Sequence, residues 1–207
     1  MQLLSLTFFA VIISPLMFCK ETVEDAAVLA RRLVASQAVG VMATIFPANT
    51  SLEGEPFALQ EYYANCYSNG SLSLITMPIS RHTRNIVHSP SHSASMSVWS
   101  SPPAASRARV ALIGNVTILD TRLAVDSGVQ DCYLQQHPDA RFWLPDDPDG
   151  AHEAFWARFD PHSVFFVGGF GNKHYIGDVP LDLYQSTEPV DFLDDNDRFI
   201  IQRDLAQ

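Results

Sequence analysis

Strand-like segments outnumber helical ones along this chain, and short turns separate most of them. The longest strand candidate is ARVALIGNVTILD, residues 108–120. HSASMSVWS, residues 92–100, alternates small polar with larger apolar residues, which is the period of a strand. AVGVMATIF (38–46) reads as an earlier strand, and Gly54-Glu55-Pro56 marks the turn after it. PFALQEYYANCY (56–67) and SLSLITM (71–77) flank Ser68-Asn69-Gly70, a favoured hairpin turn. They are expected to pair with each other. HEAFWARFD (152–160) and HSVFFVGGFG (162–171) read as two last strands joined at Asp160-Pro161. A chain dominated by strands with short connections closes most simply into an antiparallel barrel.

Helices fall at the periphery of this order. In residues 22–37 Val23, Ala26, Ala27, Ala30, Leu33 and Val34 recur at helical spacing, behind a Thr22/Asp25 capping pair. Ser80 is placed to cap a short helix, RHTRNIVHS. Residues 121–137 read as a helix weakened at Gly128, and 137–150, with its prolines and acidic residues, as a loop. From Pro180 onward the chain is acidic and is expected to be irregular.

Composition narrows the function classes. Hydrophobic residues make up 47% of the 207, enough for a core. A formal charge of -10 disfavours nucleic acid, whose phosphates call for an excess of Lys and Arg, and acidic membrane surfaces for the same reason. Leu3 to Cys19 holds no charged residue and ends at Lys20-Glu21. That is the length and polarity of a signal peptide, removed near residue 19; an uncleaved anchor is the alternative. The chain thus divides into a signal peptide (1–19), a globular domain (20–179) and an acidic tail (180–207).

Three N-glycosylation sequons, at Asn49, Asn69 and Asn115, agree with passage through a secretory lumen. An oxidising lumen permits a disulfide between Cys66 and Cys132, and two buried free thiols are equally compatible with the sequence. No His or Cys spacing suits a metal; Pro90 interrupts His88 and His92.

Ser80-Arg81-His82-Thr83-Arg84 concentrates two of the chain's 13 Lys and Arg where a strand turns into a helix start. Free N–H groups and Arg side chains there suit a phosphate, and a merely solvated helix start is the plain alternative. Gly168-Gly169-Phe170-Gly171 lacks the Walker spacing, and its glycines are more often needed for close packing than for a ligand.

Two segments together resemble a known group. SLSLITMPISRHTRNIVHSPSHSASMSV (71–98) is similar to the flavin-phosphate segment of pyridoxamine 5'-phosphate oxidase-like split barrels. QQHPDARFWLPDDPDGAHEAFWARFDPHSVFFVGGFG (135–171) resembles the CREG pattern of His-Pro-acidic, Trp before Pro, and a Gly-Gly strand end. With 27–46 and 54–63 the similarity spans about 30–178. The resemblance implies a mainly β fold with peripheral helices, a six-stranded antiparallel Greek-key split β-barrel, usually a homodimer with FMN at its interface. Carried over by motif, Thr76, Ser80, Arg81 and His82 correspond to flavin-phosphate contacts. Arg84 and Asn85 correspond to the same helix in the haem-utilisation branch.

One departure weakens the enzyme reading. Oxidases of the group add an Arg/Lys pair from the preceding strand, where this chain has no cation and carries Glu61. His82 stands where a fixed cation is usual, and it is largely neutral at neutral pH. FMN is therefore expected to bind weakly or not at all. The expectation is a secreted or lumenal, lysosome-like or vacuole-like CREG-type glycoprotein that acts by binding, with a sorting or cell-surface receptor reached through its glycans. An FMN-dependent oxidoreductase is the alternative and a haem-handling protein the third reading; no residue presents itself as a catalytic group.

Overall fold

The structure is a computed structural model that describes residues 20–150 and 152–189. The expected signal peptide, residues 1–19, and the chain beyond 189 lie outside the described residues.

Helix α1 (Val23–Ser36) begins with a complete capping box. The Asp25 amide donates to Thr22 Oγ1 (3.2 Å) and the Thr22 amide to Asp25 Oδ2 (2.9 Å). Such a cap contributes about 1 kcal/mol. The helix buries Ala26, Ala27, Ala30, Leu33 and Val34 against the sheet. The strands are β1 (Val39–Ile45), β2 (Pro56–Tyr62), β3 (Leu72–Thr76), β4 (Ser93–Trp99), β5 (Arg109–Ile118), β6 (Phe155–Val167) and β7 (Ile176–Val179). Helix α2 (Arg81–Val87) lies between β3 and β4. Helices α3 (Thr121–Asp126) and α4 (Val129–Gln136) and a single 3-10 turn (Pro138–Phe142) lie between β5 and β6, and α5 (Leu181–Ser186) follows β7.

All strand pairs are antiparallel, in the order β2-β1-β4-β5-β6-β3, with β7 on the other half of β6. Six strands make the main path, as expected, and β7 is a seventh. The sheet is open, as a split barrel is. Its two ends approach at one isolated bridge, where Ala64 and Ser73 exchange amide–carbonyl bonds of 2.9 and 2.8 Å.

That bridge corrects the expected hairpin. Asn69-Gly70 does turn the chain, with Gly70 at φ +79°, but β2 pairs with β1 and β3 pairs with β6. Every residue of β3 is buried. A strand covered on both faces is decided by its long-range packing, and a local turn does not outweigh that.

Two further expectations change. The last two strands are one, β6, with a bulge where Ile113 pairs Ser163 but Gly114 pairs Pro161. Pro161 has no N–H to give the ladder, so the strand shifts register there instead of ending. Gly114 makes room: a Cβ on it would lie 2.2 Å from the Asp160 carbonyl oxygen. Gly128, at φ +75°, breaks the expected 121–137 helix into α3 and α4.

The start of the acidic tail is also ordered. Tyr184 of α5 is fully buried in the main core. Arg31, fully buried on α1, donates from Nε to the Thr187 carbonyl (2.9 Å) and lies over the Tyr184 ring (5.2 Å). A second, smaller cluster lies between β3, β6 and α4, around Ile75, Tyr133 and Trp156. Cys66 and Cys132 form a disulfide (S–S 2.09 Å, Cα–Cα 5.8 Å) that ties the chain after β2 to α4 beside this cluster. Of the two thiol states open to the sequence, the structure has the bonded one.

On the outward face of the sheet, Val41, Ser97, Ala111 and Phe165 form one cross-strand row, and Ala43, Ser95, Ile113 and Ser163 the next. Neither row holds a charge within these four strands; the first continues from Phe165 to Asp178 of β7. An antiparallel sheet facing water normally turns polar and charged side chains outward.

Candidate functional site

The Ser80–Asn85 segment turns the corner from β3 into α2, and the helical repeat divides its side chains. His82 and Asn85 are three apart and point into the protein; both are buried. Arg81 and Arg84 are also three apart and lie on the exposed side.

The inward pair meets at Thr44 of β1. Asn85 Nδ2 donates to Thr44 Oγ1 (3.0 Å), and His82 Nδ1 shares a hydrogen bond with the same oxygen (3.1 Å). His82 packs on Phe57 of β2, ring centroids 4.9 Å apart. Its Nε2 and Asn85 Oδ1 are buried without a partner of hydrogen-bond geometry. Burial pushes the His82 pKa below its ordinary value, against a smaller opposing pull from the Leu59 backbone. The imidazole is thus held neutral.

The outward side chains are partly committed. Arg84 donates from Nε to the Pro78 carbonyl (3.0 Å) and from Nη2 to that of Ile79 (3.2 Å). Its guanidinium therefore closes the turn before its own helix. Arg81 lies over the Phe46 ring at 5.3 Å. Ser80 is the N-cap residue, but its side chain makes no capping bond. Thr76, at the end of β3, donates to the Phe155 carbonyl (3.2 Å).

The six residues matched by motif therefore share one corner but do not converge on one point. His82 and Asn85 are used inside, Thr76 and Arg84 bond the backbone, and Ser80 and Arg81 alone face out without a hydrogen-bonding commitment. A dianionic flavin phosphate needs several donors aimed at one position. Within one chain these residues do not fit it.

Residues that sequence reading passed over complete the corner: Thr44, Phe46 and Phe57. Thr44 carried a faint signal, a polar residue at an inward position of a strand. Glu61, noted only as an unfavourable charge, has its carboxyl pKa raised to about 7 by burial, with a smaller lowering from the Tyr62 backbone. His137 ends α4, as its His-Pro context suggests. It is also buried, bonded to the Tyr63 carbonyl (2.8 Å) and stacked on Tyr62 (4.6 Å).

The glycines at the end of β6 serve close packing. A Cβ on Gly168 would lie 2.2 Å from a Glu21 carboxylate oxygen, and one on Gly169 2.9 Å from both His174 and the Ser106 carbonyl. Glu21 Oε2 accepts from the Tyr175 amide (2.7 Å) and Oε1 bonds His174 (2.8 Å). Of the sequon asparagines, Asn49 is exposed in a turn, and Asn69 is half-buried. Asn115 projects half-buried from β5, donating to the Ser91 carbonyl (2.6 Å). A cleft of about 430 Å³ beside Trp99 and Arg107 contains none of the six matched residues.

Comparison with known proteins places this geometry. The sequence matches the CREG beta-barrel family over residues 21–186. It matches no curated protein. Among solved structures, the chain superposes on a heme binding protein from Mycobacterium smegmatis with TM-score 0.62 and 24% identity, over 82% of this chain and 62% of that one. It superposes on a protein of unknown function from Agrobacterium tumefaciens with TM-score 0.57 and 18% identity, over 78% and 61%. The chain thus spans less than two thirds of either protein. At these identities the likeness is one of fold.

Proposed function

The chain belongs to the CREG family, and from that membership we propose that it is a secreted or endomembrane-lumenal glycoprotein acting by binding rather than catalysis. One observation carries the reading: in the corner that corresponds to a flavin-phosphate grip, His82 and Asn85 are turned inward and spent on Thr44. Side chains used to dock a helix are not free to hold a cofactor. The cystine between Cys66 and Cys132 supports an oxidising compartment. Glycans at Asn49, Asn69 and Asn115 are the handle for a sorting or cell-surface receptor.

The working form is a homodimer joined through the uncharged outward rows of β1, β4, β5 and β6. Two copies that each carry -10 repel except where carboxylates are absent. Serines of β4 form a trough between the ridges of Val41 on one side and Ile113 and Phe165 on the other. Ridge and trough fit each other about a twofold axis, as an isologous interface requires. Four strands of seven residues cover roughly 20 by 23 Å, the size of a small interface core.

The visible spectrum of protein purified from a eukaryotic secretion host tests the functional reading. Binding without a redox cofactor gives only the near-ultraviolet absorption of the aromatic side chains and no visible band. A flavin spectrum replaces the proposal with the oxidoreductase alternative, and a Soret band replaces it with haem handling.

A further inference from the structure

At the α2 end of the barrel a cleft of about 360 Å³ lies outside the Thr44 corner. Pro78, Val87, Ile118 and Phe155 line it with apolar surface, and Arg84 and His88 stand at it as basic groups. Val87 and Ile118 remain 43% and 38% exposed. Small-ligand sites commonly combine this size, an apolar lining and a few polar groups of fixed direction.

The basic groups are fixed. Two carbonyls hold the Nε and one Nη2 proton of Arg84. A guanidinium has five N–H donors in a rigid plane, so the Nη1/Nη2 end remains for an incoming acceptor pair. His88 lies four residues on and donates from Nδ1 to the Arg84 carbonyl (2.8 Å), which fixes its ring at the edge of the cleft. In a chain of charge -10, the Arg84 guanidinium stands here at apolar surface with no carboxylate in the lining.

We propose that this cleft binds a small amphiphilic carboxylate, its apolar body on Val87, Ile118 and Phe155 and its carboxylate across the end of Arg84. Planar carboxylate oxygens match a guanidinium end in two parallel bonds. The site borrows Arg84 from the flavin corner but none of its contacts to Thr44, and it does not involve the receptor, so it goes beyond the function proposed above.

Calorimetric titration of the secreted protein with octanoate, and with octanol as the uncharged counterpart, tests it. Octanoate is expected to saturate at millimolar concentration or below, and octanol to bind about tenfold more weakly, the worth of one charged hydrogen-bonded contact. Arg84→Lys keeps the charge, loses the paired geometry and should weaken octanoate severalfold. Because Arg84 also closes a turn, Ile118→Glu is the second variant. Its side chain is partly exposed, so the fold and Tm should be retained while octanoate binding falls tenfold or more. Equal affinity for octanoate and octanol, unchanged binding by Ile118→Glu, or no octanoate binding at 10 mM, roughly the weakest affinity of interest, overturns the proposal. Competitive displacement of octanoate by FMN overturns it as well, since the cleft would then be part of a flavin site.

Discussion

Asn85 reaches from α2 to Thr44 of β1, Nδ2 to Oγ1, across 3.0 Å, and this bond joins a helix to a strand 41 residues earlier. His82 uses the same hydroxyl. Removing the hydroxyl leaves both without it in a buried place. Thr44→Val is therefore expected to cost about 2–3 kcal/mol, the penalty for orphaning buried polar groups. Urea denaturation should show a lower midpoint with an unchanged slope. Equal stability of the variant would mean that the bonds do not hold α2.

Two groups give stability opposite pH trends. The folded-state pKa of His82 is depressed, so its contribution is present above the unfolded value near 6.5 and is lost as pH falls through the lower folded value. His82→Gln should remove that acid sensitivity. The folded-state pKa of Glu61 is raised to about 7 from 4.5. Its contribution is full below 4.5 and is lost as pH rises through about 7. Glu61→Gln should raise Tm at pH 8 and leave it nearly unchanged at pH 4, with a difference of about 1–2 kcal/mol after solvent screening of a partly exposed group. Thermal melts of wild type and both variants across pH 4–8, roughly the span between these groups' ordinary values, separate the two effects.

The Cys66–Cys132 bond spans 66 residues. On the chain-entropy account it contributes about 4 kcal/mol. Reduction, or Cys132→Ser, should loosen the cluster around Tyr133 and Trp156 first. Tryptophan emission should shift red before far-ultraviolet circular dichroism is lost. Two free thiols in the native protein, detected by alkylation and mass spectrometry, would contradict the bond.

Gly114→Ala puts a methyl group against the Asp160 carbonyl, where a Cβ would lie at 2.2 Å. The neighbour is backbone inside a bulge and cannot swing aside. Overpacking of this kind costs about 2–3 kcal/mol, read as a lower Tm. Gly128→Ala meets open space, so its cost is limited to the positive φ, and it should be milder.

Dimerisation through the outward rows is tested by light scattering. Wild type should be dimeric at micromolar concentration. Val41→Asp, which adds a carboxylate to the β1 ridge of the face, should be monomeric with an unchanged circular dichroism spectrum. Leu123→Asp, on the exposed side of α3, should stay dimeric. A monomeric wild type would remove the interface.

Much of the fold was legible in the chain. Thr22 and Asp25 announced the first helix through their reciprocal cap, and Gly128 marked a weak point in the 121–137 helix, though not its break into α3 and α4. Strand residues showed themselves by alternation, because one face is buried along β1, β4 and most of β5. These signals are local, set by φ preferences and side-chain period, so sequence carries them without knowledge of the neighbours. Membership in a split-barrel family was legible in the same way, from the order of motifs.

Partners and directions were decided only in three dimensions. Asn69-Gly70 favours a hairpin, yet β3 pairs with β6, because burial on both faces outweighs one turn. Pro161 resembles a strand end until Gly114 across the sheet admits a bulge. Tyr184 reads as part of an acidic tail until Arg31 and the core receive it. The Ser80–Asn85 cluster reads as a single charged patch, and the helical repeat alone divides it into two faces without saying which face is inside. That choice depended on Thr44 and Phe57 standing where α2 docks. Burial is a property of what surrounds a residue, and those surroundings come from strands distant in the chain.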